Sequence, residues 1–172
     1  MKQLLTAIVI FSITSVLFIS CGEKASESGT NTATEAKSTF DLAAVKKVVD
    51  STNVVFGSLV SKGDSVGLAS LYTSDAKFMA PNAPTASGRS AIQAAFAGLF
   101  AAMGTPGLTL TTNDLWGTEE LVTEVGTYTM TDKNGKEIDK GKYIDLWKME
   151  DGKWKLCRDI FNSDNPPPPS HK

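Results

Sequence analysis

The sequence predicts an α+β domain in which helices come first and a meander of antiparallel strands follows as a curved sheet wrapped on the helices. Two observations predict it. Apolar residues recur at helical spacings of three and four in the first half of residues 40–164, whereas in the second half they fall in strand-like runs. The turn signals between those runs are typical of antiparallel hairpins, and they are Gly117-Thr118, Asn134-Gly135 and Asp151-Gly152.

The first residues have the layout of a secretory signal, in which Lys2 precedes an uncharged apolar run over residues 4–19. The run is shorter than the roughly 20 residues that span a bilayer. It ends in LFISCG, which resembles a bacterial lipobox. That resemblance implies removal of residues 1–20 as a lipoprotein signal peptide and acyl chains on Cys21, which would anchor the protein to an inner or outer membrane of the cell envelope, on an extracytoplasmic face. The alternative is an ordinary secretory signal with an incidental cysteine.

Two segments flank the predicted domain. Residues 21–39 have no large apolar side chain after the cysteine and are rich in Ser, Thr, Ala and Glu, which predicts a disordered linker. Residues 165–172 contain a run of prolines and are predicted to form an extended tail. Residues 40–164 remain as one domain, which is long enough to bury a core without disulfides.

The composition argues against several function classes. If Cys21 is lipidated, Cys157 has no intramolecular partner and no disulfide framework is expected. The only histidine, His171, lies in the tail, which excludes His-dependent nucleophilic catalysis and argues against a metal site. The net charge is −2 and no basic block is present, so no nucleic-acid partner is expected. We expect neither a metal nor a cofactor.

Three helices are predicted before the meander. The apolar spacing predicts an amphipathic helix over residues 41–61. Asp64 is placed to cap a second, short helix that runs to Tyr72. A third helix follows a loop and is expected to be capped by Ser87 or Ser90.

The strands are predicted by short apolar runs bounded by turn signals. One precedes the third helix and four form the meander. They cover residues 76–80, 108–116, 121–130, 142–149 and 153–162.

Four segments together resemble one known family. In this order and spacing, over about residues 40–165, they resemble the SnoaL-like, ketosteroid-isomerase-related branch of the nuclear transport factor 2-like superfamily. The resemblance implies a cone-shaped fold with about three N-terminal helices packed on a strongly curved, mainly antiparallel sheet, and a pocket inside the cone. The segments are KGDSVGLASLYTSDAKFMAPN, SGRSAI, EVGTYTM and GKYIDLWKMEDGKWKLCRDIFNSDNP.

The resemblance implies a cavity without a set of catalytic residues. The superfamily uses one scaffold for isomerases, dehydratases, hydrolases, ligand binders and assembly modules. In ketosteroid isomerases a carboxylate base moves a proton beside a carbonyl, while a Tyr and a protonated Asp stabilise the enolate. No motif of this chain maps onto those three residues.

The last hairpin carries the candidate catalytic residues, Asp145 and Asp159. Strand alternation places Asp145 on one face between Tyr143 and Trp147. An acid between two aromatic residues is typical of a pocket wall.

The turn of this hairpin decides what Asp145 faces. If Asp151-Gly152 is a two-residue loop, Asp145 faces Arg158 and a structural ion pair is expected. If residues 150–152 form a three-residue turn, Asp145 faces Asp159, and two close carboxyl groups raise one pKa. We favour the second register, because it places Asp159 beside the aromatic residues of the pocket wall.

Aromatic and polar residues near the strand ends complete the predicted pocket. For the Tyr and Trp residues, a packed core position is the simpler alternative. The candidate ligand-binding residues are Tyr143, Trp147, Tyr72, Phe78, Asn82, Trp116 and Phe161.

Three functions remain open. The leading hypothesis is a lipid-anchored domain that binds a small, partly apolar molecule with a polar handle near Asp145 and Asp159. The second is a cofactor-free isomerase, dehydratase or hydrolase that uses one of these aspartates as the base. The third is a non-catalytic assembly module that forms a homodimer through the outer face of the sheet.

Overall fold

The computed structural model of the protein describes residues 40–166. The predicted signal peptide, the lipidation site at Cys21, the linker and most of the tail lie outside the described residues. The described helices and strands are α1 (Leu42–Lys62), α2 (Ser65–Ser70), β1 (Tyr72–Met79), β2 (Ala86–Ser87), α3 (Arg89–Met103), β3 (Gly107–Gly117), β4 (Val122–Thr131), β5 (Glu137–Glu150) and β6 (Lys153–Ser163).

The N-terminal cap was predicted correctly for α2 and incorrectly for α3. Asp64 caps α2, since its carboxylate accepts a hydrogen bond from the backbone N–H of Gly67 at 2.8 Å, as predicted. The predicted cap of α3 by Ser87 or Ser90 was wrong. Gly88 occupies that position with a φ of 78° and no side-chain cap, because the chain enters the helix through a conformation that favours glycine.

The six strands form one sheet in the order β2-β1-β6-β5-β4-β3. Strands β3 to β6 form the predicted antiparallel meander, while β1 runs parallel to β6. The prediction placed Tyr72 at the end of α2, and this was wrong, because Tyr72 is the first residue of β1. The Leu71 carbonyl accepts a hydrogen bond from the Leu156 N–H at 3.0 Å, so pairing with β6 already begins there.

Irregular pairing bends the sheet around the helices. The ladder leaves one residue unpaired at each of three places, which are Asn113 on β3, Ile138 on β5 and Cys157 on β6. Such bulges bend strands and increase their twist. The predicted α+β class, with N-terminal helices packed on a strongly curved sheet, is confirmed.

The core lies between α1, α3 and the inner face of the sheet. The apolar stripe of α1 is buried, and Gly57 lets this helix approach β3, because a Cβ there would lie 2.4 Å from the carbonyl oxygen of Leu108. Among residues 40–166, no helix is both long and apolar enough to cross a membrane. The buried core residues include Val45, Val49, Phe56, Val60, Leu68, Tyr72, Phe78, Ile92, Phe96, Val122, Trp147 and Leu156.

Candidate ligand-binding site

The β5–β6 turn is a two-residue loop. Asp151 and Gly152 have φ values of 54° and 71°, and Glu150 pairs with Lys153 across them. Two consecutive left-handed residues are typical of the type I′ hairpin turn. The three-residue turn that we favoured was therefore wrong.

A bulge at Cys157 nevertheless gives the register that we favoured. Cys157 has no partner on β5, so the pairing shifts by one residue beyond it. Arg158 consequently faces Leu146, and Asp145 faces Asp159. The predicted pairing of the two aspartates is confirmed, although the bulge, and not the turn, is its cause.

The two aspartates form a buried pair. Asp145 is 6% exposed and Asp159 is 7% exposed, and they face each other across β5 and β6. The Tyr72 hydroxyl donates to Oδ2 of Asp159 at 2.5 Å. Oδ1 of Asp145 is buried and has no hydrogen-bond partner among the described residues. One oxygen of the pair therefore lacks a hydrogen bond from the described part of the chain.

The environment of the pair favours protonation. Burial raises the pKa of Asp145 well above its ordinary value, and the charges of Asp159 and Glu124 add to this effect. Burial also raises the pKa of Asp159 from 3.8 to about 6, although hydrogen bonds from Tyr72 and Asp145 act in the opposite direction. Two carboxyl groups that are buried opposite each other share a proton more readily than they both ionise.

A third buried acid, Glu124 on β4, lies beside the pair and was missed in the sequence. Its side chain is 0% exposed. Its Oε1 accepts hydrogen bonds from Asn53, Thr112 and Tyr143 at 2.7 Å each. Its Oε2 accepts one from Trp147 Nε1 at 3.0 Å. The signal was available, because Glu124 alternates with the inward-facing Val122 and Tyr128 along its strand.

An apolar cavity of about 80 Å³ lies inside the cone, with the aspartate pair in its wall. The two aspartates are the only charged residues that line it within the described chain. Met103, at the end of α3, lines the cavity and is 57% exposed, so the cavity reaches the surface there. The lining residues are Phe56, Val60, Phe78, Phe96, Leu99, Phe100, Met103, Pro106, Leu108, Leu110, Tyr128, Met130, Tyr143, Asp145, Asp159 and Phe161.

The structure brings five of the candidate site residues together around this cavity. They are Asp145, Asp159, Tyr143, Phe78 and Phe161. The Tyr143 hydroxyl is bonded to Glu124, so this residue presents its ring to the cavity wall and its oxygen to the acid.

The other four candidates do not line the cavity. Tyr72 and Trp147 are fully buried in the core, where each donates to an acid of the site. Asn82 lies in an exposed turn with a φ of 58°. Trp116 is 48% exposed near the end of β3. Asn82 and Trp116 therefore do not contribute to the pocket as expected, because the cavity opens beside α3 and not at these strand ends.

Metal binding has no ready site in the described part of the chain. Within residues 40–166, no three His, Cys, Asp or Glu side chains converge as metal ligands would. The site consists of an acid pair, aromatic rings and aliphatic side chains.

A curved sheet packed on helices around an internal cavity places the protein among cystatin-like folds. A domain of unknown function with a cystatin-like fold from Nostoc punctiforme superposes with a TM-score of 0.65 at 11% identity, covering 74% of this chain and 82% of that one. A ketosteroid isomerase-like protein from Erwinia carotovora atroseptica gives a TM-score of 0.58 at 17% identity, with coverages of 70% and 96%. A putative calcium/calmodulin dependent protein kinase II association domain from Xanthomonas campestris gives 0.55 at 19% identity, with coverages of 73% and 93%. At such identities the similarity shows the fold alone.

The sequence identifies the family of this protein, whereas the structural comparisons identify only its fold. The model of the SnoaL-like domain family matches residues 56–156. The protein therefore belongs to the SnoaL-like domain family, and the predicted relationship is confirmed at that level. A comparison with curated proteins finds no match.

Proposed function

We propose that the protein binds a small, mostly apolar molecule in the cavity and holds the polar group of that molecule at Asp145. The observation that carries the proposal is the buried Oδ1 of Asp145, which has no partner among the described residues and belongs to a side chain of the cavity wall. A buried polar atom without a hydrogen bond costs roughly 1–3 kcal/mol. A ligand that completes this bond would remove the cost.

The cavity size supports a compact ligand. Its volume of about 80 Å³ is well below the range of drug-sized pockets, which begins at roughly 300 Å³. The occupant is therefore a molecule with a short or single-ring apolar body. A longer body would have to extend past Met103 to the surface.

Native mass spectrometry of the full chain, purified in mild detergent from its own host, tests this proposal. We expect a retained small molecule that Val60→Phe displaces, because Val60 lines the cavity and is 5% exposed. The matched control is Val54→Phe on the same helix, where the side chain is 75% exposed. Equal retention by both variants, with folding verified by circular dichroism, would contradict binding in the cavity.

Acid/base catalysis is the second candidate function, and the Asp145–Asp159 pair is the observation that favours it. A carboxyl group with a pKa near 6 is suited to accept and return a proton near neutral pH. The catalysed exchange of the α-protons of cyclopentanone with deuterated water, followed by NMR, tests this function. Exchange that Asp159→Asn abolishes would support catalysis, and exchange at the buffer rate would leave binding as the function.

We also propose that the domain is held at an extracytoplasmic membrane surface by lipid on Cys21. The support is the sequence of the first residues, because this segment lies outside the described residues. Metabolic labelling with an alkyne fatty acid is expected to mark the wild-type chain and Cys157→Ser but not Cys21→Ser. Membrane association of an unlabelled Cys21→Ser chain would contradict the anchor.

Homodimerisation through the outer face of the sheet is supported by an apolar stripe. Val125, Ile144 and Ile160 are neighbours across three strands, and the two isoleucines are each 46% exposed. The Xanthomonas neighbour is described as an association domain. Light scattering should show dimers that Ile144→Lys dissociates, whereas Ile138→Lys, at 48% exposure on the same strand, should not. A monomeric wild-type chain would contradict this proposal.

A further inference from the structure

The wall of the cavity contains acidic side chains but, within the described chain, no basic side chain that would neutralise them. Three carboxyl groups, those of Asp145, Asp159 and Glu124, are buried in or beside the wall. No Lys, Arg or His is among the residues that line the cavity in the described chain. Buried negative charge without a compensating cation is costly. The cavity therefore favours a positively charged occupant over a negatively charged one.

The nearby basic side chains have other partners. Arg158 faces Leu146 across the hairpin and donates to the backbone carbonyls of Asp75 and Cys157. Lys155 pairs with the carboxylates of Glu150 and Asp151. These contacts hold both cations outside the cavity, so they do not neutralise the pair.

The hydrogen-bonding groups of the cavity also select the ligand. The Tyr143 hydroxyl donates to Glu124 at 2.7 Å, and the Tyr128 hydroxyl donates to Asp139 at 2.9 Å. The hydroxyl groups of both tyrosines that line the cavity therefore already donate hydrogen bonds to other acids of the protein. Among the described residues, no free side-chain donor therefore remains in the wall to bind a ligand carbonyl, except a proton of the acid pair itself.

Within the pair, Oδ1 of Asp145 is the buried oxygen that has no hydrogen-bond partner among the described residues. Asp145 and Asp159 lie directly opposite each other in the β5–β6 pairing. Tyr72 occupies Oδ2 of Asp159 as a donor. Oδ1 of Asp145 remains, and an oxygen that carries no proton needs a donor from the ligand.

The remaining wall suits the body of an organic cation. Phe78 and Phe96 stack at 4.8 Å between ring centroids, and Phe161 stacks on Phe78 at 5.9 Å. Aromatic faces attract cations and bury apolar groups. The same wall thus accommodates both the charge of an amine and the hydrocarbon next to it.

We propose that the ligand is a small amine with a compact apolar body, whose ammonium group donates a hydrogen bond to Oδ1 of Asp145. This inference rests on the proposed function, binding in the cavity, and names the chemical class of the ligand. Anionic molecules such as carboxylates are excluded by the buried acids.

The groups that titrate near the site determine the pH dependence of binding. Those that face Asp145 are Asp159 and Cys157 on β6, Glu124 on β4, Tyr143 on β5 and Tyr72 at the start of β1. The side chains of α1 and α3 that line the cavity are neutral. Because a cation binds best when the pair has lost a proton, amine affinity should rise with pH by up to about tenfold per unit below the pKa of the pair.

Isothermal titration calorimetry of the full chain in detergent with four cyclopentyl probes tests the proposal. The probes are cyclopentylamine, cyclopentanol, cyclopentanone and cyclopentanecarboxylate, which share one ring and differ in the polar group. We expect cyclopentylamine to bind at least tenfold more tightly than the alcohol and ketone at pH 8, and more weakly at pH 5. The carboxylate should not bind.

Variants separate the charge of Asp145 from its shape. Asp145→Asn should weaken cyclopentylamine at least tenfold and leave cyclopentanol within about threefold, because the amide keeps the shape and removes the charge. Asp114→Asn, which makes the same change at an exposed position on β3, should alter neither affinity.

The outcomes distinguish the two levels of the proposal. If cyclopentanone binds more tightly than the amine and weakens as pH rises, the pair acts as a donor; the amine inference is then overturned while binding in the cavity stands. If no probe binds at any pH and no ligand is retained in native mass spectrometry, the proposed function itself fails.

Discussion

Two acids buried side by side in the same sheet, Glu124 and Asp145, have opposite hydrogen-bond status. Four donors surround the Glu124 carboxylate, from Asn53, Thr112, Tyr143 and Trp147. Asp145 has one oxygen without a partner in the described chain. Burial alone therefore does not identify a functional acid. We expect the acid with complete partners to stabilise the fold, and we propose that the incomplete one binds a ligand.

Removing the satisfied acid should have the largest effect. Glu124→Ala would remove the acceptor of four donors, three of which belong to the buried side chains of Asn53, Tyr143 and Trp147, and it would open a void between α1 and the sheet. We expect a loss of about 4 kcal/mol in the free energy of unfolding, measured by urea denaturation. Glu124→Gln keeps one acceptor oxygen and should cost about half as much. Equal stability of the alanine variant and the wild type would show that these four bonds do not hold the domain together.

Replacing Asp145, the acid with the unpaired oxygen in the described chain, should change stability by an amount that depends on pH. Asp145→Asn should be as stable as the wild type at pH 4.5 and more stable at pH 8, by on the order of 2 kcal/mol. Urea denaturation across this range measures the difference. A variant that is less stable than the wild type at pH 8 would contradict an uncompensated acid at this position.

The sign of this pH dependence follows from raised pKa values. The folded state keeps protons on Asp145 and Asp159 that the unfolded chain releases near pH 4, so wild-type stability falls as pH rises from about 4 through about 6 and above. Glu150 acts in the opposite direction, because the Ser74 backbone N–H lowers its pKa from 4.5 to about 2. The stability that Glu150 contributes is fully present above pH 4.5. It therefore does not change over the pH range in which the two aspartates lose their protons and stability falls.

The smallest effect on stability is expected from removing the hydroxyl of Tyr72, which donates a hydrogen bond to Asp159. Tyr72→Phe removes one hydrogen bond to Oδ2 of Asp159 and should cost about 1 kcal/mol. It should also raise the pKa of Asp159 further, since that bond lowers it. Tyr128→Phe makes the same change at a hydroxyl bonded to Asp139, and is the control that should leave the pKa of Asp159 unchanged. An identical shift in both variants would contradict a specific role for Tyr72.

Much of the fold could be predicted from local patterns. Helical spacing, the Asp64 cap and the hairpin turns are encoded within a few residues of one another, and they gave the helices and the antiparallel meander. Tyr72 was placed in the wrong element because its position depends on pairing between β1 and β6, which are far apart in the sequence. Contacts of that kind leave no periodic signal.

The site could be predicted only where it depends on local strand alternation. Strand alternation correctly placed Asp145 inside, and the fold resemblance favoured its pairing with Asp159. The bulge at Cys157 has no signature in the sequence, so the pairing was inferred with the wrong turn. Asn82 and Trp116 were included because strand ends often surround a pocket, but the position of the opening depends on α3, whose placement is set by tertiary packing.

The central claim is that Asp145 and Asp159 retain a proton at the wall of an internal cavity, and NMR titration of their side-chain carboxyl carbons tests it most directly. The full chain, labelled with ¹³C at aspartate and assigned with Asp145→Asn and Asp159→Asn, would be titrated from pH 3 to pH 9. We predict that at least one of the two carbons has its inflection at pH 6 or above and that adding cyclopentylamine moves this inflection downward. Inflections of both carbons near pH 4, unaffected by the amine, would contradict the account.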